Sequence, residues 1–163
     1  MKKYIFVAIL ALTSIFGARA ESGDVALAPQ FVFATKHAMA GLGLQAQFDV
    51  LDNVRVAPEF IFFFKKDNIT AYNGNLNVHY LIPKSSTVTV YPLAGFSYTR
   101  FKVDFINDKG EADDERHDRI GLNIGAGALY KIQDQIQLFA EERFQLVKDF
   151  NQSVTALGVR FIF

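Results

Sequence analysis

The chain ends with the stretch that decides its fold, Thr155-Ala156-Leu157-Gly158-Val159-Arg160-Phe161-Ile162-Phe163. Every second side chain from Leu157 to Phe163 is apolar, whereas the side chains between them are small or charged up to Arg160, and only Ile162 breaks the alternation. Side chains two residues apart point to the same face of a strand. The stretch therefore predicts a strand between lipid and a filled, polar lumen, although the last strand of a soluble sandwich is the alternative.

The first 20 residues have the three parts of a secretion signal. Lys2 and Lys3 give a positive start, Tyr4 to Phe16 form an apolar run that is too short to be a spanning helix, and Ala18-Arg19-Ala20 is an A-x-A cleavage site. We expect cleavage near Ala20, which leaves one mature domain over residues 21–163 for export. An uncleaved anchor is the alternative.

Composition and charge exclude several classes of protein. The chain has no Cys, which excludes a disulfide framework, a thiolate nucleophile and a thiolate metal site. It has 17 basic and 17 acidic residues, and loss of Lys2, Lys3 and Arg19 with the signal makes the mature chain weakly acidic. No basic excess remains to bind nucleic acid. A mature length of about 140 residues suits one domain with about eight strands.

Alternation of apolar with polar or small side chains is clearest from Tyr72 to Ile82 and from Ile120 to Tyr130. This spacing indicates strands and not helices. We therefore predict an all-β fold, an eight-stranded antiparallel up-and-down transmembrane β-barrel, in which the last strand pairs with the first because an open edge is costly in lipid. The predicted strands are Val25–Lys36, Gly41–Val50, Val54–Lys65, Ala71–Leu81, Val88–Phe105, Arg119–Lys131, Ile136–Val147 and Ser153–Phe163.

The same alternation assigns a set of polar side chains to the lumen. The interior of an eight-stranded barrel is just wide enough for side chains to fill it, so we predict a plugged lumen and no wide pore. The predicted lumen residues are Gln30, Gln45, Gln47, Asp49, Arg55, Glu59, Asn73, Asn75, Asn77, His79, Asn123, Glu141, Arg143, Gln145 and Arg160. The charged members form a predicted network of three pairs: Asp49 with Arg55, Glu141 with Arg160, and Glu59 with Arg143.

Two places do not fit a simple alternation. Glu142 points to lipid if its neighbours point inward, which predicts a bulge or a position near the rim. In the fifth strand, Pro92 and Phe96 face outward whereas Phe101 has the opposite parity. Either a bulge lies between them, or the strand rises beyond the bilayer, where parity no longer reports contact with lipid.

Residues at the predicted rims suggest contacts with the membrane. Rings of this kind suit a membrane–water boundary, and four residues are placed there: Tyr80, Tyr130, Phe161 and Phe163. The connection from Ile106 to Asp118 is long and acidic, which predicts a solvated external loop, with a calcium site as the alternative. Next to this loop lie Arg100, Lys102 and Arg119, which contact lipopolysaccharide phosphates or pair with the loop acids.

Some barrels of this size are lipid A-modifying enzymes, which need a Ser, a His and a carboxylate at the lipid boundary. His37 and His117 have no Ser partner in the sequence, and His79 is assigned to the lumen. We therefore predict no catalytic site, and no cofactor or metal.

Four stretches resemble the small outer-membrane β-barrel, or porin-family, proteins of Bacteroides-like bacteria: Asn53–Phe60, Asn75–Leu81, Val90–Gly95 and Phe144–Phe150. The architecture is similar to that of outer membrane protein X and of the barrel of outer membrane protein A. The terminal Phe163, with aromatic side chains two residues apart, resembles the signal that the barrel assembly machinery recognises. The resemblance implies a location in the bacterial outer membrane, but it implies no catalytic residues.

The leading hypothesis is therefore a monomeric, structural or surface-interaction protein, whose external loops contact other molecules and whose outer wall contacts outer-membrane lipids and lipopolysaccharide. A narrow passive channel is the second hypothesis, and a lipid A-modifying enzyme is the third.

Overall fold

A computed structural model describes residues 23–36, 38–66, 68–106, 112–147 and 151–163. Eight long strands make up almost all of this part of the chain. They are β1 (Val25–Ala34), β2 (Met39–Leu51), β3 (Val54–Lys66), β4 (Ile69–Tyr80), β5 (Val88–Ile106), β6 (Ala112–Gln133), β7 (Ile136–Val147) and β8 (Gln152–Ile162). A two-residue segment, Ile82–Pro83, also pairs with the start of β5.

The strands close into one antiparallel barrel. Each strand pairs with its neighbours in the chain, β1 pairs with β8, and β4 pairs with β5. At the seam, Phe31 on β1 lies opposite Leu157 on β8. The prediction of a closed eight-stranded barrel is confirmed, and the predicted pairing of the last strand with the first is present.

The strands are staggered around the barrel. From Ala128 on β6, the registered partners lead around the barrel and back to β6 at Asp118, ten residues nearer the N-terminus. The partners between them are Ala140, Leu157, Phe31, Leu42, Phe62, Tyr72 and Arg100. Such a stagger requires strands that are tilted relative to the barrel axis. Each registered partner in this row lies about 3 Å further along the axis than the one before it. We call the lower end, with the chain termini and tight turns, the terminal end, and the other the hairpin end.

The outer wall is apolar. Along each strand, buried residues alternate with exposed ones, and the exposed ones in the middle of the barrel are mostly large hydrophobic side chains. Among the most exposed are Phe60, Phe96, Ile120, Ile124 and Leu157. An apolar surface of this extent marks contact with lipid or protein.

The lumen is filled by two clusters of buried apolar side chains and by many buried polar ones. Towards the hairpin end a cluster of buried apolar residues includes Ile61, Phe63 and Phe101. A second cluster, nearer the terminal end, includes Leu93, Leu129 and Phe139. The pairing of β5 with β4 and β6 continues without a register shift, so no bulge separates Pro92 from Phe101. Phe101 keeps the parity of its strand, which turns it into the lumen.

The predicted long loop from Ile106 to Asp118 is wrong in its bounds. β6 begins at Ala112, and β5 and β6 remain paired up to the contact of Ile106 with Ala112. The last partner of β6 on β7 is Val147, opposite Gly121, so β6 continues well past the end of its neighbour. The two strands form a hairpin that extends beyond the barrel. The described residues contain no helix long and apolar enough to cross a membrane.

Candidate functional sites in the lumen and on the outer face

A buried guanidinium joins two carboxylates in the middle of the lumen. Arg143 Nη2 on β7 lies 2.8 Å from Glu59 Oε2 on β3, and Arg143 Nη1 lies 3.4 Å from Glu141 Oε2. All three side chains are completely buried. Tyr91 Oη donates to Glu141 Oε1 at 2.8 Å, and Asn75 Nδ2 donates to Glu59 Oε2 at 2.6 Å. The structure thus brings together Arg143 and Glu59 across the lumen, as the parity of their strands suggested.

A second ion cluster lies near the terminal end. Arg55 Nε is 2.5 Å from Asp49 Oδ1, and Arg160 Nη2 is 3.1 Å from Asp49 Oδ2, so two guanidiniums share one carboxylate. Arg160 also donates to the side-chain oxygens of Gln47 and Gln137, at 2.7 and 3.1 Å. The predicted contact of Asp49 with Arg55 is present. Charge-assisted bonds of this kind fix long side chains in place.

The predicted pair of Glu141 with Arg160 is wrong. In the register of β7 with β8, Glu141 lies opposite Ala156, and Arg160 lies opposite Gln137. Four residues separate the two positions along each strand, which corresponds to about 13 Å. Glu141 therefore pairs with Arg143 on its own strand, and Arg160 pairs with Asp49 across the β1–β2 side of the lumen.

Above the central cluster, amide side chains on β6 and β7 donate hydrogen bonds to amide side chains on β4. Asn123 Nδ2 on β6 donates to the side-chain oxygens of Asn75 and Asn77 on β4, at 3.0 and 2.8 Å. Gln145 Nε2 on β7 donates to Asn73 and Asn75 at 3.3 and 3.2 Å. All the predicted lumen residues are buried except Asp49, which is partly exposed. Bonds that span the lumen in this way leave little free space for a solute.

The sequence reasoning missed several lumen residues. The clearest is Tyr91, which stacks on His79 with 4.7 Å between ring centroids and donates a hydrogen bond to Glu141. The alternation along β5 contained the signal, because Tyr91 lies between the outward-facing Val90 and Pro92. His79 Nε2 is 3.9 Å from Glu141 Oε1, so this histidine faces the lumen, as assigned. Other buried polar residues outside the predicted set are Ser97, Thr99 and Gln152.

The three basic residues near the hairpin do not share one face. Arg100 on the outer face donates from Nε and Nη2 to Asp118, at 2.7 and 3.0 Å, and from Nη2 to Tyr98 Oη at 2.8 Å. Lys102 follows on the same face. Arg119 lies opposite Thr99, whose side chain is buried inside the barrel, so Arg119 has the inward parity. The structure therefore groups Arg100 with Lys102 but not with Arg119.

The predicted interfacial aromatic residues lie at the terminal end. Tyr80, Tyr130, Phe161 and Phe163 are all exposed on the outside of the barrel or at the end of its last strand. In the adjacent turn, Lys131 Nζ donates to Asp134 Oδ1 at 2.7 Å, and this hydrogen bond lowers the pKa of the carboxyl group. The terminal rim thus combines rings with charged turns, as expected where lipid meets water.

Glu142 faces outward halfway along β7. Its strand keeps an unbroken register with β6 and β8 at this point, so the predicted bulge is absent, and a rim position does not fit either. The carboxylate instead accepts hydrogen bonds from the hydroxyls of Ser153 and Thr155 on β8. These bonds replace part of the hydration that an apolar surrounding removes.

Removing the charge of Glu142 should stabilise the barrel in lipid. We expect Glu142→Gln to raise the free energy of unfolding by about 1 kcal/mol, because the amide keeps an acceptor for the two hydroxyls without a charge that faces lipid. Urea titration of both proteins in lipid vesicles measures this difference. A less stable variant would show that the carboxylate has a partner that compensates its charge.

The remaining polar candidates give no further site in the described part of the chain. His37 lies outside the described residues, as do the side chains of the acidic connection from residue 103 to 116. His117 is exposed on β6. The described residues contain no group of three His, Asp or Glu side chains that would hold a metal ion.

Comparison with solved structures identifies the architecture. The N-terminal β-barrel domain of OprF from Pseudomonas aeruginosa matches with a TM-score of 0.68 and 19% identity, over 87% of this chain and 100% of that one. Neisserial surface protein A matches with a TM-score of 0.67 and 20% identity, over 86% and 97%. Ail, the attachment invasion locus protein of Yersinia pestis, matches with a TM-score of 0.63 and 14% identity, over 86% and 97%.

Comparison of the sequence with family models gives the same answer. No curated protein matches the sequence. The narrower resemblance to proteins of Bacteroides-like bacteria is not supported by the comparisons. The model of the outer membrane protein beta-barrel domain matches residues 9–163. The chain therefore belongs to the family of outer membrane proteins with this β-barrel domain.

Proposed function

We propose that this protein is a structural or surface-interaction protein of the outer membrane, exported after cleavage near Ala20 and folded as a monomer. The hairpin end faces the outside of the cell and the terminal end faces the periplasm. The extension of the β5–β6 hairpin at the hairpin end supports this orientation, because outer-membrane barrels have short periplasmic turns and longer external segments. Amino-terminal sequencing of the purified protein tests the cleavage, and we expect Glu21 as its first residue.

The observation that carries the proposal is the extension of the β5–β6 hairpin beyond the barrel. The hairpin carries the exposed residues His117 and Asp118 at the top of the outer wall, and its two strands stay paired beyond them, up to the contact of Ile106 with Ala112. Loops and hairpins on a rigid scaffold are the usual place for binding residues. One of the similar structures is an attachment invasion locus protein, which was also solved with the heparin analogue sucrose octasulfate. We therefore propose attachment as the role of the β5–β6 hairpin.

Replacement of residues 103–116 by an Asn-Gly turn tests this role. We expect cells that display the shortened barrel to lose attachment to epithelial cells or to heparin-coated surfaces, while the amount of folded barrel stays the same. A variant with residues 103–116 in scrambled order serves as the matched control for hairpin length. Equal attachment of the wild type and the shortened variant would contradict the proposal.

The filled lumen argues against the second hypothesis, a narrow channel. Two buried ion clusters and two apolar clusters occupy the interior. We expect no discrete conductance steps in planar bilayers. Steps that persist in independent preparations, and that change when Arg143 is replaced, would favour the channel.

A lipid A-modifying enzyme remains the third hypothesis. Among the described residues, the outward-facing cluster of Glu142, Ser153 and Thr155 has no histidine in contact with it. We expect identical mass spectra of lipid A from deletion and wild-type strains. We also propose that the barrel assembly machinery binds the last strand, where Phe163 is 76% exposed, so that removal of Phe163 lowers the yield of assembled barrel.

A further inference from the structure

A groove opens on the outer wall at Gly74. This glycine on β4 lies between Phe60 on β3 and Tyr98 on β5, and its neighbours along the wall carry large side chains. A Cβ atom built on Gly74 would meet no atom within 4 Å. The groove has a volume of about 420 Å³ and is lined by Phe60, Tyr72, Gly74, Tyr98 and Arg100. The missing side chain is therefore the reason that the groove exists.

The groove has apolar walls and a cation at one end. The rings of Phe60 and Tyr72 form one wall, with 6.4 Å between their centroids. The ring of Tyr98 forms the other wall, and the Arg100 guanidinium lies 5.8 Å from the centre of that ring. The guanidinium donates to Asp118 and Tyr98 through Nε and Nη2, and none of these three hydrogen bonds uses Nη1. An apolar slot that ends at a fixed guanidinium suits an alkyl chain joined to an anionic group.

The position of the groove along the wall matches a membrane boundary. Below it, the outward-facing row is apolar, with Leu76, Phe96 and Leu122 in register. Above it, the rows become charged, with Arg100 opposite Asp118 and then Lys102. The ten residue steps from Tyr80 to Thr70 on β4 rise by about 25 Å when the strand is tilted by about 40°, which is the height of the apolar band of such barrels. The groove thus lies in the outer half of the hydrocarbon layer, with its Arg100 end at the edge of that layer.

We propose that the Gly74 groove binds lipid A of lipopolysaccharide, with one acyl chain between Phe60 and Tyr98 and one phosphate at Arg100. This assignment rests on the proposed orientation, which places the hairpin end in the outer leaflet. Lipid A carries both groups that the groove recognises. Asp118 offsets the charge of Arg100, and Lys102 follows on the same face, so these three side chains together carry one net positive charge where the phosphates approach. The ring walls and the cation are already fixed in the protein without lipid. Binding therefore costs little conformational entropy.

Native mass spectrometry of the refolded barrel in detergent, with lipid A added, tests this site. Gly74→Leu fills the groove, and the open space around Gly74 allows this variant to fold. Heat-modifiable gel migration verifies its folding. Gly74→Ala is a second variant, which fills less of the groove. Arg100→Gln removes the cation. The matched control is Ala94→Leu, which adds the same side chain to the outer wall on β5, away from the groove. Dephosphorylated lipid A and phosphatidylethanolamine serve as the other probes.

We expect the wild type and Ala94→Leu to bind one lipid A molecule with equal affinity. Gly74→Leu should weaken binding by about tenfold, as expected for lost contact with two methylene groups. Arg100→Gln should weaken binding of lipid A, but leave binding of the dephosphorylated form unchanged. Equal binding by Gly74→Leu and the wild type, or equal affinity of the wild type for phosphatidylethanolamine, would overturn the site. The lipid A assay does not measure attachment of cells. A negative result in this assay therefore leaves the attachment test of the β5–β6 hairpin unaffected.

Discussion

Arg143→Met should lower the free energy of unfolding by about 3–5 kcal/mol, which is the typical effect of removing one partner of a buried ion pair. The change removes the guanidinium that Glu59 and Glu141 share, and both carboxylates are completely buried. Methionine occupies much of the same space, so the loss reports the two stranded charges more than a cavity. Urea titration of the barrel in lipid vesicles gives the difference.

Arg100→Gln is the matched control for this substitution. It also removes an arginine that pairs with a carboxylate, but the Arg100–Asp118 pair is half-exposed on the outer face. Surface ion pairs contribute little, so its unfolding midpoint should agree with that of the wild type within error. An Arg143→Met barrel as stable as Arg100→Gln would show that the central cluster does not depend on its cation.

Gly95→Ala should destabilise the barrel by about 1–3 kcal/mol, whereas Gly74→Ala should change its stability by less than about 0.5 kcal/mol. Gly95 on β5 lies between Asn77 and Asn123, whose side chains form a hydrogen bond of 2.8 Å across it. A Cβ atom on Gly95 would lie 2.2 Å from the carbonyl oxygen of Leu76 and 2.4 Å from Asn77 Oδ1. The carbonyl oxygen of Leu76 belongs to the backbone of β4. This backbone cannot move away from Gly95 without disturbing the pairing of β4 with β5.

Parallel unfolding titrations of the two glycine variants measure this contrast. Both substitutions add one methyl group to a strand of the same barrel, so they share any gain in strand propensity. Equal stability of the two variants would mean that the amides at Gly95 rearrange freely, and that the lumen is less tightly packed than the structure shows.

The alternation in the sequence was sufficient to predict the fold and the inward-facing residues. Side chains two residues apart share a face, so the parity of Glu59 and Arg143 placed both in the lumen before the strands were paired. The pairing itself needed more information. The error for Glu141 and Arg160 arose because the register of β7 with β8 depends on the connection between these two strands, which the alternation along each strand does not record.

Two other features could not be predicted for related reasons. The acidic residues before Asp118 suggested a loop, but above the lipid both faces of a strand contact water, so a strand there no longer alternates. The groove at Gly74 depends on Phe60 and Tyr98, which are close only because three strands lie side by side. A single glycine in an alternating segment gave no sign of that arrangement.

The central claim is that the exposed apolar wall contacts lipid, and removal of detergent from the folded protein tests it most directly. Sedimentation velocity and circular dichroism before and after detergent removal are the measurement. The barrel should be a folded monomer in detergent and aggregate in buffer alone, because residues such as Phe60, Phe96 and Ile120 would face water. A folded, monodisperse protein in detergent-free buffer would contradict the account.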